Sequence, residues 1–181
     1  MNIANKITIF RVAMVPVFLL VLYSDLNNSH IIAGIIFIFA SLTDTLDGYL
    51  ARSRNLITNF GKFVDPLADK ILVSAALISL VEMGKIPGWI VVVIIAREFT
   101  ITGFRVLAAS EGVTIAASSL GKFKTITQLL GIILVLFNNF PFAGVGIPMD
   151  KIMIYLAFFF TVLSGIDYIA KNKDVLNIKD I

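Results

Sequence analysis

The chain has 181 residues, 58% of them hydrophobic and only 15% charged, with a formal net charge of +3 and no cysteine; its mean hydropathy is +0.94. A charged fraction well below the ~25% of a soluble domain excludes that class, and the apolar content excludes a disordered chain. The lack of cysteine excludes disulfides, thiolate-bound zinc and thiol nucleophiles, and the charges sit between long uncharged stretches rather than forming a basic face for nucleic acid.

No Lys or Arg occurs from Val12 to Ala51, and no charge of either sign from Thr125 to Pro148. A membrane helix needs about 20 mostly apolar residues. On that criterion the sequence predicts six helices, over residues 7–24, 31–51, 66–83, 87–109, 123–137 and 151–170. The first ten residues hold two Asn and one Lys rather than a basic leader with a cleavage site, so no signal peptide is expected. Lys and Arg then set the orientation. Lys6, Arg11, Arg52, Arg54, Lys62, Lys122, Lys124, Lys171, Lys173 and Lys179 fall on one side, against Lys85 and Lys151 on the other. The expectation is an all-α polytopic membrane protein: one domain over residues 1–181, six transmembrane helices and both termini cytoplasmic. No internal repeat supports a transporter built from two halves.

Carboxylates inside a bilayer are costly, about 2.5–3.5 kcal/mol for a central Asp, and this chain has four near two helix ends. Asp44 and Asp47 close the second predicted helix at i,i+3, and Asp65 and Asp69 open the third at i,i+4. Two antiparallel neighbours would turn these pairs toward each other, and four such charges repel unless cations stand between them. Hard oxygen donors suit Mg²⁺ or Mn²⁺, and two divalent ions balance four carboxylates. Gly48 and Ala51 keep the helix-2 face small enough for a ligand to approach the backbone. Arg52 can offer a bidentate fork to phosphate, and Gly61 permits a tight turn. Pro66 suits the first position of helix 3, whose N-terminus would point at the same pocket. Taken singly, these residues have blander readings: Asp65 as an N-cap, Gly48 as a packing contact, Arg52 as a snorkelling interface residue.

Together they form the pattern Asp44-x2-Asp47-Gly48-x2-Ala51-Arg52-x8-Gly61-x3-Asp65-x3-Asp69, eight specified residues across 26 positions. This pattern resembles the signature of the CDP-alcohol phosphotransferases, a family with six membrane helices. The resemblance implies transfer of a substituted phosphate from a CDP-linked donor to an alcohol, releasing CMP. It further implies that Asp44, Asp47, Asp65 and Asp69 hold two divalent metals. Asp44, Asp47, Gly48, Ala51, Arg52 and Gly61 would line the CDP site, and Asp69 would be the general base.

Three further stretches bear on the acceptor. Thr8 and Arg11 are i,i+3 at the start of helix 1, while Arg97-Glu98 and Arg105 lie late in helix 4. Ser118-Ser119-Leu-Gly121-Lys122-Phe-Lys124-Thr125 leads into helix 5. Arg97 and Arg105 are roughly 80° apart around a helix, so one broad face can hold both. Thr8, Arg11, Arg105, Lys122 and Lys124 are therefore expected to bind the phosphate of an acceptor, although the two lysines also fit the positive-inside bias. Arg97 and Glu98 also read as neutralising charge locally, although residues at i,i+1 do not face each other; Asp167 and Lys171, at i,i+4, are expected to pair. The same stretches resemble the members of the family that join CDP-diacylglycerol to sn-glycerol 3-phosphate, with a departure at Ala4, where those have Pro. That resemblance implies a multi-pass protein of the cell membrane with its active site facing the cytoplasm, and a homodimer. The alternatives are another acceptor (inositol phosphate, serine or phosphatidylglycerol) or, from another class, an ion-coupled transporter using the same carboxylates.

Overall fold

A computed structural model describes the backbone of residues 3–53, 59–110, 115 and 118–172, and the side chains of residues 9–43, 70–109, 115 and 118–172. The described residues form six α-helices and no strand: α1 (Ile3–Leu22), α2 (Ser29–Ser53), α3 (Asn59–Glu82), α4 (Gly88–Ser110), α5 (Ser119–Leu136) and α6 (Met149–Lys171), with a 3₁₀ turn over Phe142–Val145.

Local chemistry fixes where several of these helices stop and start. α3 ends in a Schellman motif: Gly84 adopts φ +70°, and Lys85 N–H donates to the Leu80 carbonyl (2.9 Å) while Gly84 N–H donates to that of Val81 (2.9 Å). Pro87 then precedes α4. At the head of α5 the Ser118 side chain accepts from Gly121 N–H at 3.1 Å, the N-cap bond expected of serine. Asn139 shapes the approach to α6, donating to the Ile147 carbonyl at 2.7 Å and accepting from Asp150 N–H at 3.1 Å.

Three helix starts differ from the sequence expectation by four residues or more, the first being α1, which begins at Ile3 rather than residue 7. α3 begins at Asn59, so Pro66 lies inside the helix rather than at its first position. The N-cap reading of Asp65 and a helix N-terminus at Pro66 both fall with it. α5 begins at Ser119 rather than 123, because the Ser118 cap starts the helix in a polar stretch that a search for apolar runs passes over.

The core is drawn from all six helices. Phe18 of α1 meets Phe37 of α2 with ring centroids 6.1 Å apart, and Leu72, Leu77 and Leu80 of α3 join Ile90 and Ile94 of α4, Ile132 and Leu136 of α5 and Ile154 of α6. α5 and α6 approach closely at Gly131, where an added Cβ would lie 2.8 Å from Ile154 Cδ1. The outward faces are apolar too: Leu20 is 74% exposed, Phe39 68%, Val92 66% and Ile166 63%. α5 and α6 are each long and apolar enough to cross a membrane. An apolar exterior around an apolar core marks a membrane protein.

Candidate active site

The aspartate-bearing turns lie in α2 (Asp44, Asp47, Gly48, Ala51, Arg52) and α3 (Gly61, Asp65, Asp69). Their side chains, and that of Thr8, lie outside the described residues. The described residues nearest them in the chain are informative. Ser41 stands one turn before Asp44 and Val73 one turn after Asp69, and both line a cavity of about 160 Å³. This inner cavity adjoins a larger one of about 500 Å³, with Lys70, Glu98 and Thr125 lining both.

The outer cavity is cationic. Lys70 of α3, Arg97 and Arg105 of α4 and Lys122 of α5 line it, and among the described residues Glu98 is the one carboxylate against them. Glu98 is the hub of this arrangement. Its Oε2 accepts from Lys70 Nζ at 2.5 Å, and its Oε1 accepts from Lys124 Nζ and from Arg97 Nη1, the latter at 3.2 Å. One side chain of α4 thus binds cations of α3, α4 and α5. The Arg97–Glu98 contact bears out the local neutralisation read from the sequence, despite the i,i+1 spacing. Two long side chains bend to a shared point, and Arg97 is steered there by Ser164 Oγ, which accepts from its Nη2 at 3.0 Å. Small residues make room, since Gly165 of α6 would place an added Cβ 3.4 Å from Arg97 Cγ.

Of the five residues expected to bind an acceptor phosphate, Arg105 and Lys122 share the outer cavity. Lys124 does not. It is 4% exposed, turned to Glu98 and lining only the inner cavity. The early start of α5 is the reason, because residues two apart on a helix diverge by about 200°. Arg11 is 1% exposed and lines neither cavity. Arg105 Nε donates to Tyr168 Oη at 3.3 Å, and its guanidinium lies 5.5 Å from that ring's centroid. The terminal nitrogens are left for a bidentate partner. Among the described residues no carboxylate pairs with Arg105 or Lys122. Glu98 and Tyr168 escaped the sequence reading as site residues: Glu98 was treated as local charge compensation, and nothing local marks Tyr168.

Asp167 and Lys171 pair at 2.8 Å, as their i,i+4 spacing predicts. Among the described residues no group of three or more His, Cys, Asp or Glu gathers to hold a metal. The four aspartates carried by α2 and α3 are of the hard-oxygen type that divalent cations take.

The family model for CDP-alcohol phosphatidyltransferases matches residues 1–163. A CDP-diacylglycerol–glycerol-3-phosphate 3-phosphatidyltransferase of Bacillus subtilis is 45% identical over 97% of this chain and 97% of its own length. Proteins of the same name from Haemophilus influenzae and Rickettsia prowazekii are 38% identical (97% and 95% of the two chains) and 34% identical (95% and 96%). A family match across most of the chain, joined to near-full-length relatives, leads to one conclusion: the chain belongs to the CDP-alcohol phosphatidyltransferase family.

Proposed function

We propose that this protein transfers the phosphatidyl group of CDP-diacylglycerol to sn-glycerol 3-phosphate, giving phosphatidylglycerophosphate and CMP. The observation that carries the reading is a cavity whose described lining has four cations and one carboxylate, beside the helical turns that bear the aspartate signature. An acceptor with its own phosphate needs such a surplus; a neutral alcohol does not. The near-full-length relatives named for this reaction support the same acceptor.

In this reading Arg105 and Lys122 hold the acceptor phosphate, and the Glu98 network fixes the wall between the two cavities. Arg52, Gly48, Ala51 and Gly61 receive the CDP moiety with Asp44 and Asp47. Asp44, Asp47, Asp65 and Asp69 would hold two divalent cations, Mg²⁺ or Mn²⁺. When bound, these supply Lewis-acid stabilisation of the diphosphate and of the departing CMP. The acceptor's primary hydroxyl oxygen bonds to the phosphorus that carries diacylglycerol. The bond from that phosphorus to CMP breaks, CMP leaves with the electron pair, and the Asp69 carboxylate takes the hydroxyl proton. The protein is read as one membrane domain of six spans, with both termini and the site on the cytoplasmic side of the cell membrane, and as a homodimer.

The test is CMP release by the purified protein in detergent, given CDP-diacylglycerol with each of glycerol phosphate, inositol phosphate, serine and phosphatidylglycerol. Glycerol phosphate should support turnover, EDTA should abolish it, and Asp69→Asn should lower it by about 10²–10⁴. Turnover with inositol phosphate but not glycerol phosphate would overturn the acceptor. Normal turnover by metal-loaded Asp69→Asn would overturn the base.

A further inference from the structure

We infer that Gln128 and Ser41 read the secondary hydroxyl of the acceptor, making the inner cavity the pocket that recognises its glycerol portion; this rests on the reaction proposed above. Three observations converge. The inner cavity lies at the level of Ser41 and Val73, one turn beyond the aspartate-bearing turns of α2 and α3. It meets the cationic cavity along Lys70, Glu98 and Thr125. Finally, Gln128 is only 3% exposed, yet its Oε1 and the Ser41 Oγ, both buried, have no hydrogen-bond partner among the described residues.

Buried polar atoms are almost always paired in native proteins, so two orphans lining one cavity point to a ligand. The neighbouring polar groups are occupied. Glu98 is taken up by Lys70 and Lys124, and the Thr125 hydroxyl donates to the Gly121 carbonyl of its own helix. With the acceptor phosphate on Arg105 and Lys122 in the outer cavity, the carbon chain can pass into the inner cavity along Lys70, Glu98 and Thr125, which line both. A hydroxyl on its middle carbon can donate to Gln128 Oε1 and accept from Ser41 Oγ, satisfying both at once. Leu77 and Ile94 close the pocket with apolar surface, so an acceptor lacking that hydroxyl would leave the two polar atoms unpaired.

The experiment compares kcat/KM for sn-glycerol 3-phosphate with that for 3-hydroxypropyl phosphate, which has the phosphate and the primary hydroxyl but not the secondary one. The full chain in detergent is assayed with CDP-diacylglycerol, as the parent, Gln128→Met and Ser41→Ala. The parent should favour glycerol phosphate by about tenfold or more. Each variant should shrink that preference, Gln128→Met to within about twofold, with KM for CDP-diacylglycerol unchanged. Both acceptors are measured on one preparation, so a lower folded fraction cancels from the ratio, and Ser41→Ala removes only one oxygen. An unchanged preference in both variants, as a cavity holding only water would give, overturns the inference, and so does a parent with no preference. A parent inactive with both phosphates but active with another alcohol would instead overturn the proposed reaction.

Discussion

The two ends of the helical bundle use similar side chains to opposite effect. At the end formed by the middle of α3, the middle and later turns of α4 and the start of α5, Lys70, Arg97, Arg105 and Lys122 share a cavity of about 500 Å³ with one carboxylate among the described residues. At the other end, polar groups close the loops on one another. Tyr23 Oη donates to Glu82 at 2.5 Å, Lys85 Nζ donates to the Asn138 side-chain carbonyl at 2.7 Å, and the Asn138 amide meets His30 Nε2 at 2.8 Å. The loop end also has a cavity, about 320 Å³ beside Lys85, Lys151 and Tyr155. The lesson lies in what is left over. Groups that satisfy each other hold loops in place, whereas cations gathered beyond the available carboxylate are kept at an electrostatic cost and await an anion.

Mutations can break this contrast, beginning where the effect is largest. Glu98→Ala removes the carboxylate that three cations share and leaves the deeply buried Lys124 with no counter-charge among the described residues. A loss of about 3–5 kcal/mol in the stability of the detergent-solubilised protein is expected, read as a lowered unfolding midpoint. An unchanged midpoint would mean that the network does not hold α3, α4 and α5 together. Arg105→Ala comes next. It should raise KM for glycerol phosphate by about 10–100-fold, the worth of one charge-assisted contact, and affect KM for CDP-diacylglycerol much less. Equal effects on both substrates would make Arg105 a structural or nucleotide-positioning residue. The smallest effect belongs to the loop end. Tyr23→Phe deletes an exposed hydrogen bond and should cost less than about 1 kcal/mol with kcat and both KM values unaltered. A selective loss of turnover there would erase the distinction between the ends.

Helix number and type were legible because uncharged stretches of membrane length stand out against the charges that flank them. The ends were less so. α3 and α5 extend into polar sequence, to Asn59 and Ser119, and at α5 the Ser118 cap, not apolar content, starts the helix. Arg97 and Arg105 were legible as a shared face because their separation is local. The parting of Lys122 from Lys124 was missed because it follows from where α5 begins. Glu98 as a hub was not legible, since Lys70 and Lys124 lie 28 and 26 residues away in sequence, and Tyr168 reaches Arg105 from 63 residues away.

The sequence by itself determined the solvent this protein lives in, its helical class and the eight-residue signature that marks its family. Those properties are written in composition and in spacings shorter than a helix turn or a short loop, where covalent geometry alone sets what can stand together. Only the tertiary structure decided which cations are spent on Glu98, which remain turned to the cavity, and which buried oxygens still lack a partner. Such outcomes depend on how separate helices are rotated and offset against each other, and that is fixed by packing between residues far apart in the chain.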